Sequence, residues 1–199
     1  MNKKIFLFGI ILAQGLRVFC QGYLPLEKRA FSIDSISSFS LLMPGESVAH
    51  LNHSEKGILV IALLSPECPI CKNYSTKLVA IKNKYGKEAD FVGLIPGSFE
   101  EDDVKDFQKN YMPSWRLLRD TSMQLTHYLG GRATPEVLVI DNKDGVLVYK
   151  GAIDDWMVSL GKTRNHVSNY YLDVALHNFI NNKPSIPFTK PIGCIINDF

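Results

Sequence analysis

The chain has 199 residues, of which 46% are hydrophobic and 21% charged, with a formal net charge of +2. A globular domain of usual size fits these figures, and a chain this long can bury a core without disulfide staples. Four cysteines are too few for a disulfide scaffold, and the sequence carries no basic patch that would suggest a nucleic-acid partner.

The first residues have the layout of a secretory signal peptide. Lys3 and Lys4 precede an apolar run from Ile5 to Leu16, and polar sequence follows from Gln21. The run is shorter than the roughly 20 residues of a membrane-spanning helix. Cleavage after Cys20 places Val18 and Cys20 at the positions a signal peptidase inspects, and cleavage after Ala13 is a weaker option. An acylated Cys20 is the disfavoured alternative, because the bulky Phe19 stands directly before it. The expected organisation is therefore a signal peptide over 1–20 and one domain over 21–199. The protein would be exported, periplasmic or secreted, with no stable membrane insertion after cleavage. Lys3, Lys4 and Arg17 are the only charged residues in 1–20, so removal leaves 19 basic against 20 acidic residues, a net of −1.

Residues 21–56 contain Pro25, Pro44 and Gly45 and suggest a leading segment with one or two edge strands. Ile58 to Leu64 is an unbroken apolar run rich in branched residues, as in a central strand buried on both faces. Ser65 and Pro66 end it, and a helix begins near Cys68. Cys71, Tyr74, Leu78, Ile81 and Tyr85 mark one stripe of that helix, and Gly86 is a plausible stop. Phe91 to Ile95 reads as a second buried strand. Ser98 with Glu101 has the pattern of a capping box opening a helix through Val104, Phe107 and Tyr111. Trp115 to Leu118 reads as a short strand. Thr121 with Gln124 is a second capping-box pattern, opening a short helix that stops at Gly130-Gly131. Glu136 to Ile140 and Val146 to Tyr149 flank the turn-forming run Asp141 to Gly145 and predict a hairpin. Leu172, Ala175, Leu176, Phe179 and Ile180 mark a last helix. This order predicts an α/β fold with a mixed central sheet and helices on both faces.

The strongest chemical signal is Ser65-Pro66-Glu67-Cys68-Pro69-Ile70-Cys71-Lys72. Two cysteines at this spacing can close a small disulfide ring at a helix start. A helix N-terminus stabilises an anion, and the attacking species in thiol exchange is the thiolate. Cys68, at the very start, is assigned as the nucleophile and Cys71, one turn in, as the resolving thiol. Lys72 should favour the thiolate, and Glu67 should oppose it. The same spacing is half of a zinc site, which Cys194 and five scattered histidines could complete, and His127 is the nearest candidate for a copper-type site. A purely structural disulfide closing so small a ring would restrict the unfolded chain little. Neither a metal nor a cofactor is expected. Thr134-Pro135, opening a later strand, is the second signal.

Cys68-Pro69-Ile70-Cys71 after a buried strand, with Thr134-Pro135 before a later one, resembles the thioredoxin superfamily. Ala133 to Val137 and the run Tyr149-Lys150-Gly151-Ala152-Ile153-Asp154-Asp155 are similar to exported bacterial redoxin, or alkyl-hydroperoxide-reductase/TSA-like, proteins. Gly193-Cys194-Ile195-Ile196 matches the Gly-Cys-x-Ile-Lys-Trp ending of such proteins, with Asn197-Asp198 in place of the final Lys-Trp. The resemblance spans residues 30–199 and implies a thioredoxin-like fold. It implies a cis Pro135 facing the cysteines, with Thr134 offering backbone groups to a substrate strand. It also implies thiol–disulfide exchange through a Cys68/Cys71 redox disulfide. The partners would be thiols or disulfides of exported proteins and an unidentified electron donor or acceptor. The buried acid that thioredoxin carries six residues before its first cysteine is replaced by Ala62, leaving Glu67 and Glu136 as candidates. A peroxidase would need a proline at Ile61 and a Thr or Ser at Ser65, and only the second is met. Thiol peroxidase activity and a non-catalytic metal- or partner-binding module are the alternatives. For Cys194, a free buried thiol is slightly favoured over exchange with the pair.

Overall fold

The structure is a computed structural model that describes residues 30–45, 47–51 and 56–196. The expected signal segment, Cys20 and Asn197-Asp198 lie outside the described residues.

The elements in chain order are α1 (Ile33–Ser38), β1 (Leu41–Leu42), β2 (Val48–Ala49), β3 (Ile58–Leu63), α2 (Pro69–Tyr85), β4 (Ala89–Pro96), α3 (Glu101–Tyr111) and β5 (Arg116–Asp120). They continue with α4 (Gln124–Tyr128), β6 (Ala133–Thr134), β7 (Glu136–Asp141), β8 (Leu147–Gly151), β9 (Met157–Ser159), β10 (Lys162–Thr163), α5 (Tyr171–Ile180) and β11 (Cys194–Ile195). Seven strands form one mixed sheet in the order β2-β1-β5-β4-β3-β7-β8. β3 pairs parallel with β4 and antiparallel with β7, so its apolar run is buried along its whole length.

The two crossovers β3–α2–β4 and β4–α3–β5 step the same way across the sheet. Right-handed connections therefore set α2 and α3 on one face. There Leu78, Val104 and Phe107 join Val60, Ala62, Val139 and, from α5, Leu172 and Leu176 in one core. The chain returns across the other face, where Leu125 and Leu129 pack with Ile36, Ile61, Leu63 and Leu138. A mixed sheet with helices on both faces is thus observed as expected.

Local starts differ from the sequence patterns. α3 begins after Glu100 with no side-chain cap, so Ser98 is not its N-cap. α4 begins after Met123, whose φ is 57°, and Thr121 does not cap it either. The buried Asp120 takes that role, its Oδ2 accepting from the Thr126 amide and hydroxyl at 2.7 Å each. A carboxylate at the end of β5 is the stronger acceptor and displaces the hydroxyl cap. Of the one or two edge strands expected, the leading segment supplies one at the sheet edge, β2, with β1 between it and β5, and also α1, capped by Ser32 Oγ accepting from the Ser35 amide at 3.1 Å.

The stripe that packs α2 onto the sheet leads back to the Cys68 and Cys71 pair at its N-terminus. Leu78→Ala, which empties a fully buried position, should cost about 2–5 kcal/mol. A lowered urea midpoint with unchanged slope is the expected readout.

Candidate active site at the head of α2

β3 ends at Leu63, and the chain turns through Ser65 and Pro66. The Cys68 amide donates to the Ser65 carbonyl at 3.2 Å. Cys68 is the N-cap of α2, extended at φ −79° and ψ 113°, and Pro69 occupies the first turn. A proline there sacrifices no hydrogen bond. Cys71 lies one turn in and is fully buried.

Antiparallel pairing of β3 with β7 brings the start of β7 alongside the end of β3, with Leu63 opposite Glu136. The Thr134–Pro135 bond is cis. The Cys68 thiol donates to the Thr134 carbonyl at 3.2 Å. Cys68, Cys71, Thr134 and Pro135 are thus brought together. Cys194 joins them, because β11 pairs antiparallel with β6 and sets Cys194 opposite Thr134. Cys68, Thr134 and Cys194 line one cleft with Glu67, Ser98 and Met123. All three cysteines are free thiols.

The thiols are electrostatically unequal. Hydrogen bonding from the Cys71 thiol holds Cys68 well below the ordinary thiol range, to about 4, against the opposing effect of burial. The Cys194 thiol and the Cys71 amide add to this. Burial pushes Cys71 up, and the Cys68 thiolate beside it pushes further. Cys194 is raised for the same two reasons. Lys72 and Glu67 are not among the causes of the Cys68 shift. The Lys72 ammonium lies 5.6 Å from the Tyr111 ring centroid, and Glu67 is exposed.

Of the two candidate acids, Glu67 is exposed in the cleft beside Cys68, and Glu136 is turned away from the pair. Glu136 belongs with Leu138 and Ile140 on the face opposite Cys71, since side chains alternate along a strand. Its carboxylate accepts from the Arg132 amide at 2.9 Å and lies 3.7 Å from Lys150 Nζ. Ala62 packs in the same core as Cys71 and carries no acid. The sequence did not mark the brace on α2: buried Asp154 accepts from Tyr74 Oη at 2.7 Å and pairs with Lys77. His127 lies exposed on α4. Among the described residues no group of three or more His, Cys, Asp or Glu side chains is arranged to hold a metal.

The family model for redoxin matches residues 33–157. The chain belongs to the redoxin family. A search of curated proteins finds no match. Among solved structures, a hypothetical protein of Sinorhizobium meliloti is similar at 23% identity and a TM-score of 0.73, over 88% of this chain and 96% of that one. An uncharacterised conserved protein of Geobacillus kaustophilus is similar at 22% identity and a TM-score of 0.71, over 89% and 94%. A thioredoxin-like protein of Aeropyrum pernix is similar at 19% identity and a TM-score of 0.51, over 60% and 83%. This redoxin therefore has a thioredoxin-like fold.

The Cys68 shift gives a signed expectation. With its folded pKa below its unfolded one, ionised Cys68 stabilises the reduced redoxin fully above about pH 8.5, and that contribution falls away as pH drops. It is lost as pH approaches about 4. The ultraviolet thiolate absorbance of the reduced protein should persist at neutral pH and vanish near that value. Cys68→Ser should show no thiolate at neutrality.

Proposed function

We propose that this redoxin is a thiol–disulfide oxidoreductase that exchanges disulfides with exported proteins through Cys68 and Cys71. The observation that carries this is the placement of Cys68 as the N-cap of α2 with its thiol against the carbonyl before Pro135. In the reducing direction, the Cys68 thiolate attacks one sulfur of a client disulfide, and the client's other sulfur leaves as a thiolate. Cys71 then attacks Cys68, the second client sulfur leaves, and two electrons have passed to the client as Cys68–Cys71 closes. An external donor reopens the pair.

The raised pKa of Cys71 helps to time the second step. Two of its causes are the hydrogen bond to Cys68 and repulsion by the Cys68 thiolate. Both disappear once Cys68 is bound in a mixed disulfide, so Cys71 ionises more readily when its attack is needed.

Export of the protein, and hence of its clients, rests on the charge and apolar pattern of residues 1–20. Among the described residues no helix is long and apolar enough to cross a membrane. The peroxidase alternative finds no support at Ile61, which lies within the buried strand β3 where that motif needs proline.

With a dithiol donor, the protein should accelerate insulin disulfide reduction, and Cys68→Ser should abolish the acceleration. Cys71→Ser combined with Cys194→Ser, which leaves no second thiol at the cleft, should instead accumulate a client mixed disulfide on Cys68. Retained insulin reduction by Cys68→Ser, or peroxide consumption in place of it, overturns the assignment. Stabilising the Cys68 thiolate also stabilises the dithiol form. The potential, measured against glutathione, should therefore lie toward the oxidising end of the superfamily span of about −270 to −120 mV.

A further inference from the structure

Cys68 is only 1% exposed, although it stands at the head of its helix. The segment against it is the chain's own tail. After α5 the tail is fastened along β8: the Thr189 amide donates to the Lys150 carbonyl at 3.1 Å, and Thr189 Oγ1 accepts from the Ala152 amide at 2.9 Å. It then crosses to β6, where Cys194 pairs with Thr134 and Ile195 with Ala133. Beyond the strand, the Ile196 amide donates to the Arg132 carbonyl at 3.1 Å, and its side chain is buried in the second core. Cys194 is thus held on both sides.

Gly193 shows how close the approach is. A Cβ there would fall 2.2 Å from the Thr134 carbonyl oxygen and 3.1 Å from Pro135 N. The Thr134 oxygen is also the acceptor of the Cys68 thiol. One carbonyl therefore lies beside the nucleophile and beside the tail strand that carries a third thiol.

The geometry points to Cys194 as a third redox thiol, which the tail presents to Cys68 as a built-in substrate strand on β6. This deepens the proposed function and rests on Cys68 being the exchanging thiol. When Cys68–Cys71 is oxidised, Cys194 gives up its proton and attacks the Cys68 sulfur. The Cys194–Cys68 bond forms as Cys68–Cys71 breaks, and Cys71 leaves as a thiolate that takes up the proton. No net electrons are exchanged. A client strand on β6 must displace the tail, so client and Cys194 compete for one sulfur. Cys68, Thr134 and Cys194 line the same cleft, which agrees with this placement.

The test uses full-length Cys71→Ser incubated with oxidised glutathione, then alkylated and mapped as peptides without reduction. Cys68 becomes glutathionylated, Cys194 displaces the glutathione, and Cys68–Cys194 should be the dominant bridge. Cys68 left glutathionylated beside a free Cys194 overturns the inference. Adding Gly193→Val, which keeps every thiol but denies the strand its seat, should lower bridge formation at least about tenfold and speed Cys68 alkylation. Unchanged bridging in that variant overturns the role of the strand, provided circular dichroism shows the fold retained. The insulin assay separates the two ideas. Insulin reduction without the bridge removes only Cys194, whereas a bridge without insulin reduction removes the client reaction and keeps the internal exchange.

Discussion

The antiparallel register between β3 and β7 governs the site. Six residue pairs run from Ile58 opposite Asp141 to Leu63 opposite Glu136. The strand that delivers Cys68 therefore ends where the strand behind Pro135 begins, although Cys68 and Thr134 lie 66 positions apart in sequence. A slip of one residue would turn Leu63 and Leu138 out of their core and remove the Thr134 carbonyl from Cys68. Burial on both faces of β3 penalises any such slip, so the hydrophobic core itself fixes the spacing of Cys68 and Thr134.

The same alternation decides which polar groups can take part. Ala62 and Val137 share the core of Cys71, whereas Leu63 and Leu138 face the other way. Glu136 is close in sequence to Pro135 but turns to Lys150 and the Arg132 amide, where burial raises its pKa. Its lysine partner donates to the Leu129 carbonyl at 3.0 Å as well as to Gly130, which ties the end of α4 to β8. This polar group braces the segment leading to β6. On the opposite face, Asp154 joins Tyr74 and Lys77 across to α2, and Asp155 organises the following loop through the Ser168 and Asn169 amides. Asp154 thus has a structural role in holding α2 to the sheet, and Asp155 in ordering the loop that follows.

Much of this was legible in the sequence because it depends on pattern. Ile58 to Leu64 has the apolar continuity of a doubly covered strand, and the 3.6-residue stripe of α2 leads back to Cys68. The hairpin of β7 and β8 was marked by its turn residues. The capping boxes were not reliable, since a hydroxyl three residues before an acid or amide is only one of several acceptors available, and Asp120 arrives from a strand end. The short α1 contributes only Ile33 and Ile36 to the core, too little for periodicity to register. The β9–β10 hairpin offers exposed positions with weak alternation. Cys194 was visible as a residue but its position was not, because contact between a tail and β6 is a long-range pairing of two residues on each side.

Covering Cys68 also restricts which oxidants can reach it. A thiolate of low pKa is the form most readily carried up the oxidation ladder, and its sulfinic and sulfonic products do not return to disulfide exchange. Cys194 of the tail lines the same cleft, so a neighbouring thiol stands close to that sulfur. At 1% exposure, Cys68 presents almost none of its sulfur to oxidants in solution.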